Sequence, residues 1–274
     1  MIAWFNADLL PLGGISIPAT DRGFLLGDGF YETIACNSGQ PVRFQKHMQR
    51  LHKTAKLMKI DLPHSLDEIQ SAINDVLTGC QLMKSRASIR ITVTRGSGPR
   101  GLRIPLKITP NVMITAAKVP DCYEAAKIKT VSIVRNEHTP SAHIKSLSYI
   151  DNIFAFEEAE AAGFDEALLL NTKGHIAEGS ISNIFFIKND CLFTPPIEDG
   201  ALPGIMREAV LKKAQALGLK TKEASLTPDI ALTCDEVFLT NSLVRVRSVK
   251  QIDDRLIASQ KHSNKLLHAL IDDE

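Results

Sequence analysis

Ile69, Ala72, Ile73, Val76 and Leu77 recur at the three- and four-residue spacing of one helix face, and Ser65-Leu66-Asp67-Glu68 ahead of them has the form of a capping box. The pattern predicts a helix ending near Gly79. A shorter helical stretch covers about His47 to Met58. From Ala87 the period changes to two. Ala87, Ile89, Ile91 and Val93 alternate with Ser88, Arg90, Thr92 and Thr94, as in a strand with one buried face. Asn111 to Ala117 reads as another strand, and the periodicity then lapses over Lys118-Val119-Pro120-Asp121, which marks a link.

Beyond the link, Ile128 to Val134, Ala167 to Leu170 and Asn183 to Ile187 read as strands, and Asp151 to Ala162 reads as a helix. Asn171-Thr172-Lys173-Gly174 and Lys188-Asn189-Asp190 supply turn residues between apolar runs. A further helix is expected from Pro203-Gly204 through Ile205, Ala209 and Leu217 to Gly218, with proline just inside its start and glycine at its end. The elements predict a mixed α/β protein in two parts: a smaller α/β domain over residues 1–117 and a larger, β-rich one over 118–274.

Composition narrows what such a fold does. Hydrophobic residues make up 44% and charged residues 23% of the 274, enough apolar surface to sustain cores. Lys and Arg total 32 against 31 Asp and Glu, so no bulk field draws nucleic acid or anionic membrane to the surface. The first residues lack a basic and apolar leader, and no stretch approaches the roughly 20 apolar residues of a membrane span. A cytoplasmic protein is expected. The five cysteines are scattered and never paired as Cys-x-x-Cys, so they read as reduced thiols with no metal-site spacing.

Two segments invite an anion. Gly96-Ser97-Gly98-Pro99-Arg100-Gly101 matches Gly-x-Gly-x-x-Gly after a strand, but Leu102-Arg103-Ile104-Pro105 and Pro110 cannot open the helix a dinucleotide needs. Leu202-Pro203-Gly204-Ile205-Met206-Arg207 is the better site, because a helix start presents backbone N–H groups at the positive end of its dipole.

That segment stands in order with several others: Gly27-Asp28-Gly29-Phe30-Tyr31-Glu32-Thr33, Arg50-Leu51, Thr94-Arg95 through Gly101, Ile144-Lys145-Ser146-Leu147-Ser148-Tyr149-Ile150-Asp151-Asn152, Glu178-Gly179-Ser180-Ile181-Ser182-Asn183-Ile184-Phe185, and Thr240-Asn241-Ser242-Leu243. Together they resemble the fold-type IV pyridoxal 5′-phosphate (PLP) enzymes, the D-amino-acid and branched-chain aminotransferase superfamily. The resemblance implies the two-domain D-amino-acid aminotransferase-like fold, PLP as cofactor, and a homodimer. It makes Lys145 the residue that holds PLP covalently and moves the substrate proton, a role suited to an amine whose pKa falls readily on burial. Glu178 matches the carboxylate that pairs with the pyridine nitrogen. Arg50 matches the phosphate-binding arginine, whose fork suits phosphate oxygens. Gly204, Ile205 and Met206 fall at the phosphate-binding helix start, Asn241 and Ser242 belong to the phosphate loop, where Ser242 adds a hydroxyl, and Leu202 lies against the ring; taken alone, Asn241-Ser242 reads equally well as a turn.

Within the superfamily the residues over the substrate decide the reaction. Arg95 to Leu102 and Asn241-Ser242-Leu243 resemble the corresponding loops of aminodeoxychorismate lyases, which convert 4-amino-4-deoxychorismate to 4-aminobenzoate and pyruvate. Tyr31-Glu32-Thr33 is closer to the D-amino-acid transaminase pattern, and Arg100 falls where those enzymes bind a substrate carboxylate. Their histidine two positions later is Leu102 here, and the threonine pair of the lyases is Glu32-Thr33. The lyase is the expected activity, with Tyr31 and Arg100 on the substrate. An aminotransferase acting on D- or branched-chain amino acids is the alternative, followed by a non-catalytic binding relative.

Overall fold

The computed structural model describes residues 1–273, which separate into two compact units. The first comprises Met1–Asp121 together with Lys145–Ser148, and the second comprises Cys122–Ile144 and Tyr149 onward. The architecture is mixed α/β.

In chain order the first unit holds β1 (Ile2–Phe5), β2 (Asp8–Pro11), α1 (Arg22–Leu26), β3 (Gly29–Asn37), β4 (Gln40–Pro41), α2 (Phe44–Met58), α3 (Leu66–Gly79), β5 (Arg86–Thr94) and β6 (Asn111–Lys118). Its six strands lie in the order β2-β1-β6-β5-β3-β4, and β3, β5 and β6 pair antiparallel. The alternation of β5 puts Ile89, Ile91 and Val93 in one core with Ile69, Ile73, Val76 and Leu77 of α3. Both halves of the predicted capping box are present. Ser65 Oγ accepts from the Glu68 N–H, and Glu68 accepts from the Ser65 N–H.

The second unit holds β7 (Ala126–Arg135), α4 (Ile150–Ala161), β8 (Glu166–Asn171), β9 (Ile176–Gly179), β10 (Asn183–Lys188), β11 (Cys191–Thr194), α5 (Ile205–Ala216), β12 (Lys220–Glu223), α6 (Ile230–Thr233), β13 (Glu236–Asn241), β14 (Arg245–Ile252), β15 (Arg255–Leu256) and α7 (Lys261–Ile271). Its main sheet runs β12-β11-β10-β13-β14-β7-β8-β9, with β15 paired to β14. The two faces of β10 and β13 divide between two cores. Ile184, Phe186, Val237 and Leu239 join one, while Phe185 and Phe238 stack at 5.0 Å under α5 and α7 in the other.

Two expectations change. The helix expected from Pro203 starts two residues later: Gly204, extended at φ −70° and ψ 134°, is its N-cap, and Pro203 lies outside. Lys145, expected in the larger domain, groups with the first unit, because its segment adds to β3 as a short antiparallel partner. No helix of the described residues is long and apolar enough to cross a membrane.

Candidate active site

In the first unit, Glu32 is the centre of a buried charge cluster. It sits on β3 at 1% exposure and faces α2, where His47 and Arg50 lie three residues apart on one side of the helix. Arg50 grips both oxygens, Nε to Oε1 at 2.7 Å and Nη2 to Oε2 at 2.7 Å, and His47 Nδ1 lies 2.7 Å from Oε2. Burial raises the Glu32 carboxyl, but the hydrogen bonds from Arg50 and His47 outweigh it and bring the pKa down to about 2. Burial also holds the His47 pKa below its ordinary value, against the pull of Glu32. A neutral His47 beside an ionised carboxylate must donate from Nδ1. Arg50, assigned to phosphate by resemblance, is therefore a guanidinium already oriented by a carboxylate.

Tyr31, one residue earlier, points to the opposite side of β3. Its ring is overlain by the Arg90 guanidinium at 3.7 Å and by Lys145 Nζ at 4.5 Å, both attracted to the ring face. Backbone pairing delivers the lysine: the Tyr31 N–H donates to Lys145 O at 2.9 Å, and the Leu147 N–H donates to Gly29 O at 3.0 Å. The close approach requires glycine at 29, since a Cβ there would stand 2.4 Å from Val93 O and 2.6 Å from Leu147 Cδ1. Tyr31 and Lys145 are thus brought together, whereas Arg100 is exposed on the loop after β5.

In the second unit, Glu178 on β9 is 6% exposed. Its Oε1 pairs with Arg135 Nη2 at 3.1 Å, and its Oε2 accepts from the Leu202 N–H at 2.8 Å and from Asn183 Nδ2 at 3.4 Å. Glu178 and Leu202, assigned to the ring nitrogen and the ring face, are therefore bonded to each other. Asn183 closes the set by donating to Leu202 O at 2.9 Å. It also explains Gly204, where a Cβ would stand 2.0 Å from Asn183 Oδ1.

Just after Gly204, Ile205 and Met206 are buried in the first turn of α5, whose N-terminus has no side-chain cap. On β13, Thr240 follows Phe238 on the face toward α5, and its Oγ1 is buried with no hydrogen-bond partner among the described residues. Asn241 builds the turn after β13. Its Oδ1 accepts from the Leu243 and Val244 N–H groups, both at 2.9 Å, and its Nδ2 donates to Ile181 O at 3.3 Å. The Asn241-Ser242 segment is thus the turn that the residues allowed, and Ser242 lies within it. An uncapped helix start, and an orphaned hydroxyl on the strand face that packs toward the same helix, suit an anion such as a phosphate. A carboxylate fixed by an arginine and a backbone N–H suits a protonated ring nitrogen.

Several of these residues escaped sequence reasoning. Glu32 and His47 show only as polar residues among apolar ones, a weak sign of burial. Asn183 stands within the Glu178–Phe185 motif with nothing in the sequence to single it out. Nothing local marks Arg135. Glu166, 2% exposed, accepts from the Ser180 N–H and hydroxyl and from the Ser182 hydroxyl, and so ties down the turn after β9.

A model of the family described as amino-transferase class IV matches residues 29–252, from the first residue of β3 to the last of β14. This chain belongs to the class IV aminotransferases. They are the fold-type IV enzymes, which use PLP. A putative branched-chain-amino-acid aminotransferase of Methanocaldococcus jannaschii is 32% identical over 264 residues, covering 95% of this chain and 91% of that protein. Aminodeoxychorismate lyase of Bacillus subtilis is 29% identical, covering 88% of this chain and 83% of the lyase. The crystal structure of the branched-chain amino acid aminotransferase of Escherichia coli superposes with a TM-score of 0.91 at 26% identity, covering 99% of this chain and 93% of that one. Both reaction types occur among the relatives of this class IV chain.

Proposed function

We propose that this class IV protein holds PLP on Lys145 and is a 4-amino-4-deoxychorismate lyase, releasing 4-aminobenzoate and pyruvate as a cytoplasmic homodimer. The observation that carries the lyase reading is the Arg95-Gly96-Ser97-Gly98-Pro99-Arg100-Gly101-Leu102 loop, together with the Asn241 turn of the same lyase-like pattern. PLP supplies an electron sink for the amine-bearing carbon. The Lys145 amine takes the proton from that carbon, within reach of the Tyr31 ring. Glu178 keeps the ring nitrogen protonated, and Leu202 covers a ring face. Arg50, the Ile205 and Met206 N–H groups and Ser242 hold the phosphate, with Gly204 leaving room at the helix start. Arg100 binds a substrate carboxylate. Loss of the ether oxygen with its pyruvate aromatises the product ring, so no keto acid is consumed.

A second reading, an aminotransferase for branched-chain or D-amino acids, is favoured by Glu32, which follows Tyr31 where the lyase pattern has threonine and is committed to Arg50. One experiment separates the two. The purified yellow protein is incubated with 4-amino-4-deoxychorismate made in situ, without keto acid. The lyase forms 4-aminobenzoate and pyruvate in equal amounts, and Lys145→Ala forms neither. Amino transfer from leucine or D-alanine that needs a keto acid, with no 4-aminobenzoate, establishes the aminotransferase instead.

A further inference from the structure

The loop that carries Arg100 is pinned on both sides of that residue, and one side chain makes the distal pins. On the proximal side the Arg22 N–H donates to Gly96 O at 2.9 Å, the Gly98 N–H donates to Thr20 O at 3.2 Å, and Asp21 bridges Ser97. On the distal side the Arg22 guanidinium donates from Nη1 to Gly101 O at 2.9 Å and from Nη2 to Leu102 O at 3.3 Å. Its Nε is held by Asp28 Oδ2 at 2.8 Å, and the same oxygen takes Arg95 Nε at 2.8 Å. Arg95 in turn donates to Met58 O and Lys59 O at the end of α2. Only Pro99 and Arg100 lie between the pins, and proline fixes its own φ.

Arg22 is 4% exposed, and its side chain passes so close under the loop that a Cβ on Gly98 would stand 3.1 Å from Arg22 Cδ. Asp28 is held below the ordinary carboxylate pKa: burial raises it, and the hydrogen bonds from Arg95 and Arg22 more than offset that. The clamp is therefore a charged, buried fork whose three nitrogens each have a defined partner, and a lysine cannot reproduce it.

We infer that Arg22 is a positioning residue for specificity, holding Arg100 where it meets the substrate carboxylate by fixing the backbone directly after it. The inference rests on Arg100 binding that carboxylate. Arg22 itself does not touch substrate. Its loss loosens the aim of Arg100, so affinity for carboxylate-bearing substrates falls while proton transfer by Lys145 proceeds.

The test measures KM and kcat of the holoenzyme for 4-amino-4-deoxychorismate, or for leucine if the keto-acid-dependent assay is the positive one. The variants are Arg22→Lys, Arg100→Ala and the double variant. Arg22→Lys is expected to raise KM about tenfold with kcat within about twofold, an intermediate share of the effect of a misplaced binding group. The visible PLP band and the melting temperature stay near wild type. Because Arg22 acts through Arg100, the double variant has the KM of Arg100→Ala alone; effects that multiply show independent roles and overturn the inference.

An Arg100→Ala enzyme with unchanged KM refutes the carboxylate role itself. A raised KM there with Arg22→Lys unaffected refutes only the positioning. Should Arg22→Lys not fold, Asp28→Asn, which frees the clamp from its anchor, is scored in the same way. Trypsin cleavage after Arg100 in the native protein gives a readout without turnover: faster cleavage in Arg22→Lys supports the clamp, and an unchanged rate overturns it.

Discussion

At the scale of single residues, the Glu32 cluster ties an acidic position in the sequence to the stability of the fold. A carboxylate at 1% exposure is tolerated because the Arg50 fork and His47 satisfy it, and taking away one partner of such a pair strands the other. Glu32→Gln keeps the shape and removes the charge. It is expected to destabilise the protein by about 3 kcal/mol, the low end for a buried pair, since Arg50 retains some contact with water. The pH dependence has a definite sign. Glu32 is depressed from 4.5 to about 2, so its contribution is complete above 4.5 and is lost as the pH falls toward 2. Burial holds folded His47 below 6.5, so the unfolded chain takes up this proton first, and stability is lost as the pH falls from 6.5 toward the lowered folded value. Melting temperature against pH should therefore fall from 6.5 downward and more steeply below 4.5. Glu32→Gln removes the steeper part, and His47→Gln removes the upper one. Parallel curves for wild type and Glu32→Gln below pH 4.5 would show that the cluster does not govern acid stability. None of this was legible from residue types, because Glu32 meets its partners only once α2 lies on β3.

At the scale of elements, local signals were legible where one element's own residues decide its form. The α3 face and its capping box, and the alternation of β5, are properties of contiguous residues, and both were read correctly. β3 escaped as a strand because both its faces are covered, which removes the alternation that would have marked it. The start of α5 lies two residues beyond the expected one because Pro203-Gly204 fits a first turn as well as a cap; Gly204 is extended, and Asn183 of β10 lies so close to it that no Cβ fits there. That contact yields a prediction for the element. In Gly204→Ala the new Cβ displaces the Asn183 amide, which then loses its bond to Leu202 O and its contact with Glu178. Helix content should be unchanged, because alanine at the N-cap weakens a helix by only about 1 kcal/mol. PLP affinity measured by equilibrium dialysis should fall at least about tenfold, as one disordered hydrogen-bonded contact to a charged group allows. Tight PLP binding by a folded Gly204→Ala protein would refute the role of this helix start.

At the scale of the whole molecule, the chain places Lys145, the lysine proposed to hold PLP, by a long-range pairing. Residues 145–148 group with the first unit although the residues on either side of them in sequence belong to the second. No periodicity in a sequence announces such a pairing, because the partners Gly29 and Tyr31 lie more than a hundred positions earlier. Resemblance alone singles out Lys145, and nothing in the sequence hints that Lys145 and Tyr31 touch. If the backbone pairing sets the lysine, then removing one N–H should matter more than trimming a side chain. Leu147→Pro deletes the donor to Gly29 O but leaves Ser146 in the extended conformation that a residue before proline prefers. Leu147→Ala keeps the donor. After incubation with PLP and reduction by borohydride, the fraction of cofactor fixed on Lys145, read by peptide mass, should drop by about tenfold or more in Leu147→Pro, because a displacement near 1 Å costs a reacting group that much. In Leu147→Ala it should stay close to wild type. Equal labelling of the two variants would mean that Lys145 reaches the cofactor without its strand, and that the chain's return to β3 serves folding rather than chemistry.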